Sequence, residues 1–517
     1  MAAATVDHAP ARPRFDWWLL LVVLGSIIAC APFLRTVYAL TDEGQLLNGA
    51  DRMLRGRRLY GDFFEFLPPG GFVATAGWLW LTGTSLAWAR ALAILVIVGA
   101  AAFTYLASRA ASRRSALSAG LVLGWMALSQ GEWTGISHHW FTTLFSCVTA
   151  WAAVAACGDE RGRLRWPVTA GLAGGAAAMT TPTRGALVML AAIVAFLDRR
   201  RPWTFIVYAL AGLAVPVALI GYLLLQGTFG AAFDDVIRWT AENYVSVQPV
   251  PFGEFATPQN QLLVYVFPAA ALLAVLAIVQ GGRPSLGDRR LMTCISLALA
   301  GFIGAFPRPD AVHLGFNCPL AIPLIALCAT RLTQRWRPAY RYALAAAIIG
   351  FSVPGVRSFW WLYQRALLAE TTGTPRGAVA LIGPPSNGRF IARMGETPPG
   401  DTYFFYPYVP LLPFLTGREH VVEFDIFNPG YTTTDQYRQA CVSAVQRATW
   451  LVFERSMADP VVLKQWFPAT PDPNPPEKRQ FEQAAEQAFP LVARDGTLEL
   501  RRRRDGLDVA VCAGITG

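Results

Sequence analysis

The sequence has no glycine-rich loop of the kind that binds nucleotide phosphates, no cysteine cluster with metal-ligand spacing and no visible internal repeat. The missing glycine loop argues against a pump driven by a nucleotide. Charge is also scarce, because only 15% of the 517 residues are charged whereas 54% are hydrophobic. With a mean hydropathy of +0.37, this composition is typical of a protein that crosses a membrane many times.

Apolar segments suited to crossing a bilayer can be placed at about eleven positions. The predicted spans are 17–37, 86–108, 116–131, 139–157, 167–181, 185–197, 204–225, 260–280, 291–306, 314–331 and 342–362. From residue 364 onward, short strand-like apolar runs flank a segment with helical periodicity, which predicts an α/β domain outside the membrane. We therefore expect an α-helical polytopic membrane protein, with a transmembrane domain over 1–363 and a C-terminal domain over 364–517.

The distribution of Lys and Arg predicts the orientation of the chain. If Arg12 and Arg14 are cytoplasmic, every second loop should be basic, and the loops at 109–114, 161–165, 198–201, 287–290 and 331–341 are. An odd number of spans then places the C-terminal domain outside the cytoplasm. The net charge of +10 is thus a topology signal and does not indicate nucleic-acid binding. The first apolar run lacks a small-residue cleavage site, so it is read as a retained span.

The first external loop, 38–84, departs from this pattern because it is basic at Arg52, Arg55, Arg57 and Arg58. The apolar spacing after residue 45 predicts a helix lying flat in the outer interface, where these arginines would meet lipid phosphates.

Two cysteines, Cys441 and Cys512, lie in the C-terminal domain and are a candidate disulfide in an oxidising compartment. The other six lie in or beside apolar spans, where they are small core residues. Near the C-terminus, the run RRRR at 501–504 continues an alternating pattern and predicts a solvated edge strand. The external loop 226–259 has helical spacing, so it predicts a lid over a cavity or a structural surface helix.

Two adjacent carboxylates, Asp42 and Glu43, follow the first span directly. Asp42, with Gln45 three residues later, also fits a helix cap with a capping box. The same loop supplies Asp62 and Glu65 just before a double proline, so it can fold back to bring Asp42 and Glu65 to one cavity. Grouped carboxylates at a membrane surface are costly unless they abstract a proton or bind a cation.

Cationic and imidazole side chains are predicted at three other external span ends. They are His138 and His139 near Glu132, Arg184, and Arg308 with His313. Adjacent histidines point to different faces of a helix, so at most one of this pair should face a site, and a structural hydrogen bond is an alternative. For Arg308 the alternative is a local ion pair with Asp310. A base on one wall and cations on another would suit displacement of a phosphate from a lipid-linked substrate.

Three short motifs resemble a known family. They are DEG after the first span, LxGxxLYxDFFEFLPPG through the first loop, and RPDxxHL before a late span. This combination resembles bacterial membrane glycosyltransferases of the C superfold, relatives of the protein O-mannosyltransferases and of the lipid A aminoarabinose transferase. The resemblance covers about residues 1–360. Two residues separate Glu65 from Pro68, where relatives often have one.

The resemblance implies a transferase that uses a polyprenyl-phosphate sugar on the external face of the bacterial cytoplasmic membrane, usually with inversion. The acceptor would be an envelope glycan, lipid or protein. Asp42 matches the family's general base, with Glu43 beside it. Arg308 and His313 are expected near the donor phosphate, and Arg184 is expected there only because it lies at an external span end. Glu65 matches a polar or metal-binding centre, to which Asp62, His138 and His139 are alternative or additional contributors. The metal would be divalent, such as Mg, Mn or Zn.

Rival interpretations belong to other classes. A flippase or transporter of a lipid-linked glycan would place its charges near mid-membrane and show internal repeats. A non-catalytic assembly factor would tolerate loss of the Asp42 carboxylate. A glycan polymerase or ligase is chemically close to the leading interpretation and is poorly separated from it by sequence.

Overall fold

The structure is a computed structural model that describes residues 15–129, 133–198, 200–334, 336–382 and 386–516. Of the residues discussed above, Arg12, Arg14 and Glu132 lie outside the described residues.

Among the described residues before 369, β1 (Thr36–Val37) is the only strand, and the other regular elements are helices. The α-helices described in this part are α1 (Trp17–Cys30), α2 (Asp42–Leu54), α3 (Pro69–Thr82), α4 (Leu86–Ser112), α5 (Ser115–Ser129), α6 (His138–Ala156), α7 (Arg165–Ala178), α8 (Pro182–Phe196), α9 (Trp203–Leu225), α10 (Phe229–Phe233), α11 (Val245–Val247), α12 (Val266–Gly281), α13 (Arg289–Ile303), α14 (Ala311–Asn317), α15 (Ile322–Thr333) and α16 (Pro338–Leu368). A π-helix, Asp234–Tyr244, joins α10 to α11.

Within the described ranges, five helices are long and apolar enough to cross a membrane. They are Trp17–Arg35, Leu86–Ser112, Trp203–Leu225, Gln261–Gly281 and Pro338–Leu368. The pair Ala311–Leu320 and Ile322–Thr333, bent by 61°, would add a sixth crossing. A helix overlaps each of the eleven predicted spans, but several are short for a bilayer, so the count of eleven stays a prediction.

The C-terminal region, residues 371–516, combines helices and strands as the sequence predicts. Its described elements are β2 (Thr371–Thr374), β3 (Gly377–Leu381), α17 (Ser386–Gly395), β4 (Thr402–Tyr406), α18 (Leu411–Thr416), β5 (Glu419–His420), α19 (Thr434–Arg447), β6 (Trp450–Glu454), α20 (Arg455–Ala458), α21 (Pro460–Trp466), α22 (Pro476–Ala488), β7 (Leu491–Asp495) and β8 (Leu498–Arg502). Five of the strands form a sheet in the order β5-β4-β6-β8-β7.

The structure confirms one detail of this region and corrects another. Cys441 and Cys512 form the expected disulfide, which ties α19 to the chain end. The edge-strand prediction for 501–504 is wrong, because β8 lies between β6 and β7. Arg501 is buried there, and its Nε donates to Glu499 Oε2 at 2.7 Å. The alternating sequence pattern of a strand does not distinguish an edge position from an interior one, because an interior arginine can pair with a buried carboxylate, as Arg501 does with Glu499.

The C-terminal region packs directly onto the first loop of the helical part. Strand β1 pairs in parallel with β3, across the predicted domain boundary. At Gly44 a Cβ atom would lie 2.0 Å from the Leu411 backbone nitrogen, so only glycine allows α2 this close to α18. The first loop is therefore covered by the C-terminal region.

This packing corrects the expected role of Arg52. Each of the four loop arginines forms an ion pair: Arg52 with Asp425, Arg55 with Asp51, Arg57 with Glu419 and Arg58 with Asp62. Arg52 is buried in its pair, so a carboxylate of the C-terminal region takes the place expected for a lipid phosphate. The other three are partly exposed, and their contact with lipid stays a prediction.

Candidate active site

Asp42 is the first residue of α2, and its side chain accepts a hydrogen bond from the Tyr408 hydroxyl at 2.9 Å. The predicted capping box is absent, because the N-cap residue is Thr41 and the Gln45 amide is bound to Glu65 instead. Burial among protein atoms raises the pKa of Asp42, while Tyr408, Arg308 and His313 act in the opposite direction. Solvent still reaches this residue, which limits the increase. Asp42 is thus a carboxylate at the wall of a water-accessible cavity.

Glu43 has a different environment although it is the next residue. It accepts from Arg90 at 2.6 Å and from the Ile136 backbone N–H at 3.2 Å. Little of either side chain in the Arg90–Glu43 pair is exposed. Because α4 and the loop before α6 occupy its oxygens, Glu43 fixes the start of α2 and thereby the position of Asp42.

Three residues of the RPDAVHL motif form one cluster on another wall. Asp310 caps α14 through the His313 backbone N–H, also accepts from His313 Nδ1 at 2.8 Å, and accepts from Arg308 Nε at 2.9 Å. Although burial opposes ionisation, the His313 and Arg308 contacts hold the pKa of Asp310 below its usual value. The predicted local ion pair of Arg308 is therefore present. The terminal nitrogens of Arg308 also donate to Gln248 Oε1 at 3.4 Å and to the Trp466 carbonyl at 3.1 Å, so its charge is held in a fixed orientation near Asp42.

Arg184 lies deeper and has no acidic partner among the described residues. It is 5% exposed. Its Nε donates to Asn317 Oδ1 at 3.1 Å, and its terminal nitrogens contact His139 Nδ1 at 3.1 Å and Thr143 Oγ1 at 3.5 Å. Arginine can only donate, so His139 Nδ1 is the acceptor and the ring is a neutral tautomer with its proton on Nε2. A buried cation with only neutral partners is suited to bind an anion.

The two adjacent histidines lie together, which differs from the sequence expectation. The ring centroids of His138 and His139 are 3.9 Å apart, and His139 lies 4.9 Å from the ring of His313. The pair stands at the first turn of α6, where side chains reach beyond the helix end and the usual angular separation matters less. Through His139 the Arg184 side and the His313 side of the cavity are in contact.

These contacts bring most of the predicted residues to one cavity. Asp42 feels the charges of Arg308 and His313, His313 lies against His139, and His139 contacts Arg184. The Asp42 carboxylate thus lies near one arginine and one imidazole, and His139 connects that pair to Arg184.

The residues predicted for a metal or polar centre are divided between separate networks. Asp62 lies at the surface in an ion pair with Arg58. Glu65 is buried and accepts from Gln45 at 2.7 Å, while its second oxygen has no partner among the described residues. Burial and the nearby Asp425 raise the pKa of Glu65 well above its usual value. Among the described residues, no three His, Cys, Asp or Glu side chains are grouped so as to hold a metal ion.

Loop 226–259 packs against the first loop and the C-terminal region beside the site. Its π-helix buries Trp239 against Phe64 and Phe66, with ring centroids 4.9 and 5.4 Å away. Phe66, Tyr244 and Tyr431 continue this layer, with the Tyr244 and Tyr431 centroids 5.1 Å apart. We call Phe66, Trp239, Tyr244 and Tyr431 the aromatic layer. The charge of Asp42 acts on Tyr244 and Tyr431, so the layer borders the cavity.

Sequence reasoning missed several residues of this site. Tyr408 comes from the C-terminal region, 366 residues from Asp42. Asn317 and Arg90 are also partners that the sequence motifs do not indicate. No local spacing reveals such partners, because they meet Asp42, Glu43 and Arg184 only in the folded chain.

The architecture is a polytopic helical bundle with an α/β region packed over its first loop. Solved structures share this fold. The chain is similar to ArnT from Cupriavidus metallidurans bound to undecaprenyl phosphate, with a TM-score of 0.57, 13% identity and coverage of 96% of this chain and 99% of that one. The apo state of the same protein gives a TM-score of 0.56 at 14% identity, covering 94% of this chain and 97% of that one.

A further solved structure has a related fold. The arabinofuranosyltransferase AftD from Mycobacteria matches with a TM-score of 0.53 and 13% identity, over 95% of this chain and 40% of that one. No protein-family model matches the sequence, and no curated protein matches it. At these identities the likeness establishes the fold.

Proposed function

We propose that this protein is a membrane glycosyltransferase that moves a sugar from a polyprenyl-phosphate donor to a cell-envelope acceptor on the external face of the bacterial cytoplasmic membrane. The observation that carries the proposal is the connected group in which Asp42 lies near Arg308 and His313, and His313 leads through His139 to Arg184. The fold shared with ArnT, which was solved with undecaprenyl phosphate, supports the choice of donor.

In the proposed reaction, Asp42 removes the proton from the attacking hydroxyl of the acceptor. The oxygen forms a bond to the anomeric carbon as the bond from that carbon to the phosphate oxygen breaks. Attack opposite the leaving group inverts the configuration. Tyr408 occupies Asp42 Oδ1, so Oδ2 is the oxygen that receives the proton.

The departing phosphate takes the electron pair and leaves as an anion, so it needs no general acid. Arg184, Arg308 and the Nε2–H of His139 are the donors proposed to stabilise it. Arg184 is the strongest of these candidates because no described carboxylate neutralises it. Since the described residues do not fit a metal ion, no step is assigned to one. A metal requirement stays a prediction, to be tested by chelation.

The test is sugar transfer by the purified full-length protein from a panel of undecaprenyl-phosphate pentoses and hexoses to envelope fractions. We expect Asp42→Asn to lower the rate by ~100-fold or more, the scale of a general base. Asp505→Asn, at an exposed turn, is the matched control and should transfer at the wild-type rate. Equal rates for Asp42→Asn and wild type, with thermal stability unchanged, would contradict the role of Asp42 and favour a non-catalytic assembly factor.

A further inference from the structure

A second cavity, of about 440 Å³, opens on the outer side of the aromatic layer. Its walls come from three segments: residues 60–64 of the first loop, the π-helix Asp234–Tyr244, and the C-terminal region around Glu423 and the start of α19. We call it the outer groove. Its volume is within the range of small-molecule binding sites.

The three walls are held together by contacts that do not depend on a ligand. The Phe64 backbone N–H donates to the Glu423 carbonyl at 3.0 Å. The Phe64 ring lies 4.9 Å from Trp239 and 5.6 Å from Phe424, measured between centroids. The groove is therefore preformed, with one wall from each segment.

Acidic side chains outnumber basic ones in the lining of the outer groove. Five carboxylates and one guanidinium line it: Asp62, Asp234, Asp235, Glu242, Glu423 and Arg238. Asp62, Asp234 and Glu423 are paired with arginines. Asp235 and Glu242 form no ion pair with any described residue. Burial raises the pKa of Asp235 to about 7, so its carboxyl can both donate and accept hydrogen bonds near neutral pH.

A buried donor on the groove wall is also left without a partner. Trp239 is 8% exposed, and its indole N–H has no acceptor among the described residues. The indole nitrogen itself is buried, so it lies behind the surface of the groove. The wall of the groove presents carboxylate and amide oxygens and the faces of aromatic rings, which together match the hydroxyls and apolar faces of sugar rings.

We propose that the outer groove binds the acceptor, and that the acceptor is a glycan without anionic groups. Phosphates and uronic acids would be repelled by the excess negative charge, whereas uncharged hydroxyl-rich chains would not. The inference rests on the proposed function, because the groove lies one aromatic layer from Asp42. The reactive end of the acceptor would cross the aromatic layer beside Tyr431 to reach Asp42.

The experiment is a glycan array probed with the full-length, detergent-solubilised protein. The array carries neutral oligosaccharides of hexoses and pentoses, oligosaccharides with uronic acid or phosphate groups, and amine-bearing oligosaccharides. We expect at least ~10-fold preference for neutral over anionic glycans. Equal binding of neutral and anionic chains, tighter binding of amine-bearing chains, or no binding would each overturn the proposal.

Variants test the groove itself. Glu242 is exposed, so Glu242→Lys should fold normally and reduce the discrimination against anionic glycans by ~10-fold. Glu396→Lys places the same change on a distant exposed surface and should leave the array pattern unchanged. Trp239→Phe keeps a ring in the aromatic layer but reduces the aromatic face that lines the groove, and should weaken neutral-glycan binding severalfold. An unchanged array pattern for both groove variants would overturn the proposal.

The same preparation separates this inference from the proposed function. Undecaprenyl phosphate is titrated in parallel. If it binds but no glycan does, the groove assignment fails and the donor site stands. If glycans bind with the expected charge preference but undecaprenyl phosphate does not, the proposed donor fails and the groove stands as a glycan-binding site.

Discussion

Two arginines, Arg52 and Arg184, each have less than a tenth of their surface exposed, but they lie in opposite surroundings. Arg52 donates to both oxygens of Asp425 at 3.1 Å, and Asn48 and His420 complete the contacts of that carboxylate. Arg184 has only neutral partners among the described residues. In the first arrangement the protein itself supplies the counter-charge, whereas in the second a bound anion would have to supply it. A buried charged side chain therefore indicates a binding site for an ion only when no side chain of opposite charge is paired with it.

The largest effect is expected where the balanced pair is broken. Asp425→Ala leaves Arg52 buried without a carboxylate, and removing one partner of a buried pair costs ~3–5 kcal/mol. We expect the interface between α2 and the C-terminal region to open, seen as faster amide hydrogen exchange in Asp42–Leu54 and around β5.

The control for this prediction is an exposed pair at the same interface. Arg57 and Glu419 are 2.7 Å apart but partly solvated, so Arg57→Ala should cost no more than ~1 kcal/mol. Equal exchange rates in Asp425→Ala and Arg57→Ala would show that the buried pair does not hold the interface.

The next effect is expected at the unbalanced arginine. Arg184→Gln removes charged hydrogen bonds to the proposed phosphate, worth ~1.5–3 kcal/mol, so undecaprenyl phosphate should bind ~10- to 100-fold more weakly. Because it also removes an uncompensated buried charge, the melting temperature should not fall. Native mass spectrometry of the protein with undecaprenyl phosphate measures the affinity.

Two variants sharpen this test. Arg184→Lys keeps the charge but loses the planar fork, so its affinity should be intermediate. Arg504→Gln, at an exposed position, should bind like wild type. Unchanged affinity in a folded Arg184→Gln protein would make Arg184 a structural residue of α8 and α14.

The contrast between these arginines also shows what sequence reasoning could reach. Long apolar runs predict helices because burial in lipid demands them, and a helix overlaps every predicted span. The motif DEG predicts a functional role for Asp42, and a different contact explains each of its three residues. Asp42 accepts from Tyr408 at the site, Glu43 pairs with Arg90, and Gly44 allows close packing on Leu411. Sequence could not separate these reasons, because each depends on a contact more than 40 residues away.

The same limitation explains the loop arginines and the proposed metal centre. Arg52 and Arg57 are predicted to bind lipid phosphates only if the C-terminal region is a separate domain. Their ion-pair partners, Asp425 and Glu419, come from that region. Asp62 and Glu65 are three residues apart, yet one is in a surface ion pair and the other is buried beside Gln45. Spacing along a loop does not determine which way a carboxylate turns when tertiary contacts compete for it.

The smallest predicted effect concerns Tyr408, the residue through which the C-terminal region reaches Asp42. Its hydroxyl stabilises the ionised form of Asp42 and so lowers the pKa of that carboxyl. Tyr408→Phe removes this contact and should raise the pKa of Asp42. A general base works only when deprotonated, so the acidic limb of kcat/KM should move to higher pH, while the rate well above the limb changes little.

A pH profile distinguishes this positioning role from simple packing. Tyr408 is buried, and Phe keeps the ring, so the loss of stability should be limited to about 1 kcal/mol for one hydrogen bond. Tyr437→Phe is the matched control, since that tyrosine is buried in the α19 and α22 core and should leave the acidic limb in place. If Tyr408→Phe lowers the rate equally at every pH, Tyr408 does not tune Asp42, and its contact with the carboxylate only orients it.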